Sequence, residues 1–159
     1  MNLSKMILLS IHFAYHSKLH RKDLLNSIFR DIQLDQHSLK KYIHWNNSKQ
    51  YTRNRIKTDG KNYDLLVLCW NPGQESKIHD HPGDGCYVKV ISGRVQESIY
   101  NKKTLELKDS TIVNVGSVSF IDDSMGLHKL GNPDSVNGAI TLHLYTPPTS
   151  TCTVSHFNF

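Results

Sequence analysis

Long apolar runs are missing from this 159-residue chain; the early run Met6-Ile7-Leu8-Leu9 is soon interrupted by His12 and His16. A membrane-spanning helix needs about 20 apolar residues, so no membrane partner is expected. No small-residue cleavage pattern follows that run, and the spacing predicts an amphipathic helix rather than a secretory signal. Cysteine is scarce: Cys69, Cys86 and Cys152 are three, an odd number that makes no disulfide framework and suits a cytoplasmic protein. Repeats, low-complexity tracts and linkers are also lacking, so residues 1–159 are expected to form one domain. Zinc-finger spacing and aromatic stacking patterns are absent too. The net charge of +5 and pI near 9.1 invite a nucleic-acid reading. However, Lys18, Arg21, Lys22, Lys40 and Lys41 alternate with apolar helical positions, the look of a solvated helix face rather than a phosphate-tracking groove.

What is present changes character along the chain. Leu24, Leu25, Ile28, Phe29 and Ile32 form a stripe of helical period, and Leu39, Tyr42 and Ile43 suggest a second helix capped by Asp35. From about Tyr51 the pattern becomes short strands separated by turn residues. Asn62 to Trp70 is apolar on both faces and belongs inside a sheet. Ile78 to His81, Cys86 to Ile91, Arg94 to Tyr100, Ile112 to Asn114, Ser117 to Ile121 and Ala139 to Tyr145 follow, with turns at Gly93, Asn101 to Lys103, Gly116 and Gly131 to Asp134. Short antiparallel strands at near-even spacing fit a mainly β fold, a double-sheet jelly roll or barrel. The division expected is a helical part over residues 1–50, a barrel over 51–152 and a short tail over 153–159.

Ten histidines stand in the chain, and two of them, His79 and His81, are spaced to share one face of a strand while Asp80 points away. Convergent neutral nitrogens begin a site for a first-row transition metal. His128, far along the chain, is available as a third. The run Gly73, His79, His81, Cys86 and Gly93 resembles the first cupin motif, with Cys86 where that superfamily usually carries glutamate. Gly116, His128 and Asn132 resemble the second, whose histidine completes the metal site. Tyr51-Thr52-Arg53-Asn54, Leu68-Cys69-Trp70, Ile78-His79-Asp80-His81, Asp123-Ser124-Met125-Gly126-Leu127-His128 and Leu142-His143-Leu144-Tyr145 occur in the order found in cysteine dioxygenase, and the chain is similar to that family from Tyr51 to Cys152.

The resemblance implies a cupin-type jelly-roll β-barrel with amino-terminal helices packed against it, and one Fe(2+) held by His79, His81 and His128. It implies that L-cysteine and O2 are converted to cysteine sulfinate, in cysteine catabolism and taurine biosynthesis, by a cytoplasmic monomer. Arg53, with Tyr51, would bind the substrate carboxylate through the planar guanidinium fork. Cys86 and Tyr145 match the pair joined by a thioether in animal members of the family. Thr141, His143 and Tyr145 share a strand face, where His143 could relay a hydrogen bond to the tyrosine hydroxyl. Cys69 is expected to be buried and inert, Trp70 a core aromatic and Cys152 a surface thiol. The family generally continues a few tens of residues past the position of Cys152, so the chain reads as shortened at its carboxyl end. Two alternatives stay open: a dioxygenase for another small thiol, and a catalytically silent cupin that binds a ligand or partner.

Overall fold

The computed structural model of the chain describes residues 3–17, 20–81 and 83–148; Lys18, Cys152 and the tail lie outside the described residues. Two helices, α1 (Leu3–His16) and α2 (Arg21–Asp31), precede eight strands. These are β1 (Thr52–Thr58), β2 (Asp64–Trp70), β3 (Gly85–Ser92), β4 (Arg94–Tyr100), β5 (Leu107–Asn114), β6 (Val118–Ile121), β7 (Leu127–Gly131) and β8 (Ala139–Thr146). A five-stranded antiparallel sheet runs β1-β2-β8-β3-β6, and a three-stranded one runs β5-β4-β7.

The side-chain alternation of β2, β3 and β8 explains why these strands are buried along nearly their whole length. Leu65, Val67 and Cys69 point one way, with Tyr87, Ile91, Ile140, Leu142 and Leu144, into a layer completed by Ile7, Ile11, Leu25 and Phe29 of the helices. Leu66, Leu68 and Trp70 point the other way, with Cys86, Val88, Val90 and Tyr145, and meet Val95, Val113 and Leu130 of the smaller sheet. A strand covered on both faces loses its polar alternation. Each fully buried leucine here contributes about 1.5–3 kcal/mol through its area removed from water. Cys69 lies in the helix-facing layer, where burial pushes its thiol pKa up, consistent with an inert thiol.

Lys89 brings a charge into that layer. Its buried ammonium donates to the carbonyls of Phe29, Arg30 and Ile32 at 2.9, 2.9 and 2.7 Å, capping the end of α2.

Several expectations are corrected. No second helix follows Asp35: its carboxylate instead accepts from the Ser38 amide and hydroxyl at 2.8 and 2.7 Å, and only a single 3-10 turn, Lys40–Tyr42, forms. The Asp35 bond is of the N-cap type expected, but the amides of Tyr42 and Ile43 bond back only three residues, so the turn stays 3-10. Ile78 to His81 is not a strand; Glu75 and His79 make isolated bridges to Gly131 and His128. β5 begins at Leu107, five residues before the expected start, because this exposed edge strand carries no apolar alternation. β7 has no counterpart among the expected strands, and Gly131, expected to open a loop, is its last residue; pairing with β4 makes it a strand. Finally, Arg21 and Lys22 are not simply solvated. They pair with Asp84 at 2.9 Å and Asp122 at 3.1 Å, on the loops that follow His81 and precede His128. Lys40 and Lys41 are exposed as expected. Among the described residues no helix is long and apolar enough to cross a membrane.

Candidate metal centre

Two backbone segments bring the histidines together. His79 and His128 exchange amide hydrogen bonds at 2.9 and 3.0 Å, which sets them opposite one another. The His81 amide donates to Asp123 Oδ1 at 3.1 Å, tying the first ligand loop to the loop before His128. Gly126, two residues before His128, has φ 137°, and a Cβ there would collide with the Tyr100 carbonyl. Only glycine reconciles that backbone with so close an approach.

The three rings meet edge to face, with centroids 4.6–4.8 Å apart. His81 Nε2 lies 2.8 Å from His128 Nε2, which lies 3.1 Å from His79 Nε2. Two nitrogens at right angles around a metal, each about 2.1 Å from it, are about 3.0 Å apart, whereas a tetrahedral angle would put them at about 3.4 Å. Both spacings are short enough for the nitrogens to share one ion. The outer nitrogens of two rings are already engaged. His79 Nδ1 is 2.8 Å from the Lys77 carbonyl, and His128 Nδ1 is 2.8 Å from Glu97 Oε1. If both donate there, both Nε2 lone pairs face inward, the tautomer a metal requires. Burial lowers the pKa of all three rings, and mutual repulsion adds to it at His81 and His128, so the rings stay neutral near pH 7. His81 and His128 are 2% and 1% exposed, and His79 is half-buried, which leaves one side open. Neutral imidazoles suit iron, zinc, copper or nickel, and the cluster fits a mononuclear metal site.

Beside the cluster a hydrogen-bonded chain runs along β8. Trp70 Nε1 donates to Thr141 Oγ1 at 2.8 Å; Thr141 Oγ1 lies 2.8 Å from His143 Nε2, and His143 Nδ1 lies 3.2 Å from the Tyr145 hydroxyl. Burial, then the Arg53 charge, holds His143 well below the ordinary histidine pKa. Cys86 pairs with Tyr145 across β3 and β8, and its Sγ is 3.9 Å from His143 Nδ1. Arg53, exposed on the edge strand β1, places its guanidinium 5.1 Å from the centre of the Tyr145 ring. Tyr51 stacks on Trp70 at 4.4 Å. Both Tyr51 and Arg53 also line an open cleft of about 560 Å3, together with His44, Lys49 and Asn54. Asp80 is half-buried, and its charge acts on His79 and Lys102.

Three participants were not expected. Trp70 is a core aromatic, but it also begins the β8 chain. Glu97 is buried and bonded to His128, and the Ser119 hydroxyl donates to its other oxygen. The signal for Glu97 was present: it shares a strand face with apolar Val95 and Ile99.

A jelly roll that gathers three histidines from two separated segments defines a cupin whose cluster fits a mononuclear metal site. Solved structures share this fold. A protein from Klebsiella pneumoniae with a double-stranded β-helix domain is 18% identical, with TM-score 0.61 over 75% of this chain and 95% of its own. An RmlC-like cupin from Desulfovibrio desulfuricans is 15% identical, with TM-score 0.52 over 73% and 99%. The chain belongs to the cysteine dioxygenase type I family, whose model matches residues 6–157. Human cysteine dioxygenase type 1 is 35% identical over 108 residues, and the Danio rerio protein of that name 30% over 109. Each match covers 65% of this chain and 54% of the relative, so the chain spans about half the length of the curated relatives it matches.

Proposed function

We propose that this single-domain chain is an iron(II)-dependent dioxygenase that converts L-cysteine and O2 to cysteine sulfinate. The observation that carries the reading is the trio of neutral, converging Nε2 atoms in a family of cysteine dioxygenases. His79, His81 and His128 would hold the ion. A ferrous ion bound there supplies the redox chemistry that makes dioxygen reactive towards a thiol. Three uncharged ligands leave the ion's positive charge to attract an anionic substrate.

Arg53 takes the substrate carboxylate, since its fork offers paired donors beside the Tyr145 ring. Tyr51, stacked on Trp70, helps bind the substrate beside Arg53. The Thr141–His143–Tyr145 chain orients the tyrosine hydroxyl, which donates to or accepts from the substrate as the sulfur is oxidised. Cys86 and Tyr145 form a thioether in which sulfur bonds to the ring and two hydrogens pass to dioxygen; intact mass before and after turnover reads that loss. The product enters cysteine catabolism and taurine biosynthesis, and the enzyme is a cytoplasmic monomer.

Oxygen uptake by the iron-loaded chain with cysteine, a mercapto acid and cysteamine tests the assignment. Uptake with cysteine well above the other two is expected. Preference for cysteamine, which has no carboxylate, would contradict the role of Arg53. Iron retention without uptake on any thiol would make the chain a binding module.

A further inference from the structure

Two polar chains reach the histidine cluster from different walls of the barrel, and the one through Glu97 touches a ligand ring directly. Glu97 projects from β4 between Val95 and Ile99, and Ser119 reaches it from β6 in the other sheet. A buried carboxylate facing one imidazole and one hydroxyl is costly unless positive charge lies nearby. An ion held among the three nitrogens would supply that charge one ring further in, beyond His128 Nε2.

We propose that Glu97 is a positioning residue for the metal. It accepts the Nδ1–H of His128, which leaves Nε2 as a lone pair aimed into the cluster. Its carboxylate also places one negative charge a ring's width behind a donor set that is otherwise neutral. Many non-haem iron sites hold a carboxylate against the ion; here it acts through a histidine, which strengthens His128 as a donor without filling a coordination position. Ser119 keeps the carboxylate from rotating by holding its second oxygen. This assignment rests on the cluster holding a metal and is independent of which thiol is oxidised.

The test is titration of the full chain with Co2+, read by its visible d–d bands and by competition with a chelator. Glu97→Gln keeps the shape and removes the charge, Glu97→Ala removes both, and Ser119→Ala frees the carboxylate. Affinity is expected to fall about 10–100-fold in Glu97→Gln, the range for losing a partner of a metal-bound histidine. A shift of the d–d bands should accompany it, with a smaller loss in Ser119→Ala. Wild-type affinity and unchanged bands in Glu97→Gln would overturn the assignment, whatever the melting temperature does; Glu97→Gln decides should Glu97→Ala not fold. A wild-type chain that takes up no Co2+ would overturn the metal reading and this assignment with it, an outcome distinct from the first.

Discussion

His79 and His128 face each other across a single pair of backbone hydrogen bonds, at 2.9 and 3.0 Å, although 49 residues separate them in the chain. No strand surrounds His79; this bridge, the Ser76–Leu130 hydrogen bonds at 2.8 and 3.1 Å and the Glu75–Lys129 ion pair hold the first ligand segment against β7, while Asp123 ties the His81 amide to the loop before it. The candidate metal site is thus prepared by backbone geometry, and an ion that binds the folded chain would add its binding free energy to stability.

Fe2+ or Co2+ at about 100 times its dissociation constant should stabilise the chain by about 2.7 kcal/mol. For a domain of this size that raises the melting temperature by roughly 5–11 °C. A thermal melt with and without metal reads the shift, and His81→Ala should abolish it. A shift that persists in His81→Ala would place the ion elsewhere.

Arg53→Ala should weaken substrate capture by about 1.5–3 kcal/mol, the worth of hydrogen bonds to a charged group, since Arg53 is exposed rather than buried. Steady-state kinetics should show the loss mainly in KM, and Arg53→Lys should recover only part of it, because an ammonium lacks the planar fork. Unchanged cysteine turnover in Arg53→Ala would remove the assignment.

Thr141→Val keeps the volume of the side chain but leaves Trp70 Nε1 and His143 Nε2 without the hydroxyl that joins them. Leaving such groups unsatisfied costs about 1–3 kcal/mol. A lower melting temperature is expected, together with a fall in kcat larger than any rise in KM as Tyr145 loses its oriented partner. Wild-type kcat in a folded Thr141→Val chain would show that the relay does not serve catalysis.

The barrel was legible because strand alternation and turn glycines act locally: Arg94 to Tyr100 was delimited as observed, and Asn62 to Trp70 read as interior because both its faces are covered. The Lys89 cap was not legible. A lysine in a strand reads as exposed, and the carbonyls it binds belong to a helix about 60 residues earlier. Glu97 was missed for the opposite reason, since its partners Ser119 and His128 come later in the chain, from a strand expected and one that was not. The His79 segment read as a strand because two histidines with alternate spacing look like one; cross-chain bridges deliver the same convergence without it.

Lys89→Met should lower stability by about 1–3 kcal/mol, because the end of α2 would be buried with carbonyls lacking a donor. Chemical denaturation reads the loss. Co2+ affinity should stay at the wild-type value, since Lys89 faces the helices and not the cluster. A variant as stable as wild type would show that the helix end finds another donor.

The most direct test of the account is turnover of L-cysteine by the iron-loaded chain under 18O2, with the product weighed by mass spectrometry. The account predicts cysteine sulfinate carrying label at both oxygens of its sulfur, and none from a His128→Ala chain. A fully iron-loaded wild-type chain that leaves cysteine unoxidised, or forms only the disulfide cystine, would contradict it.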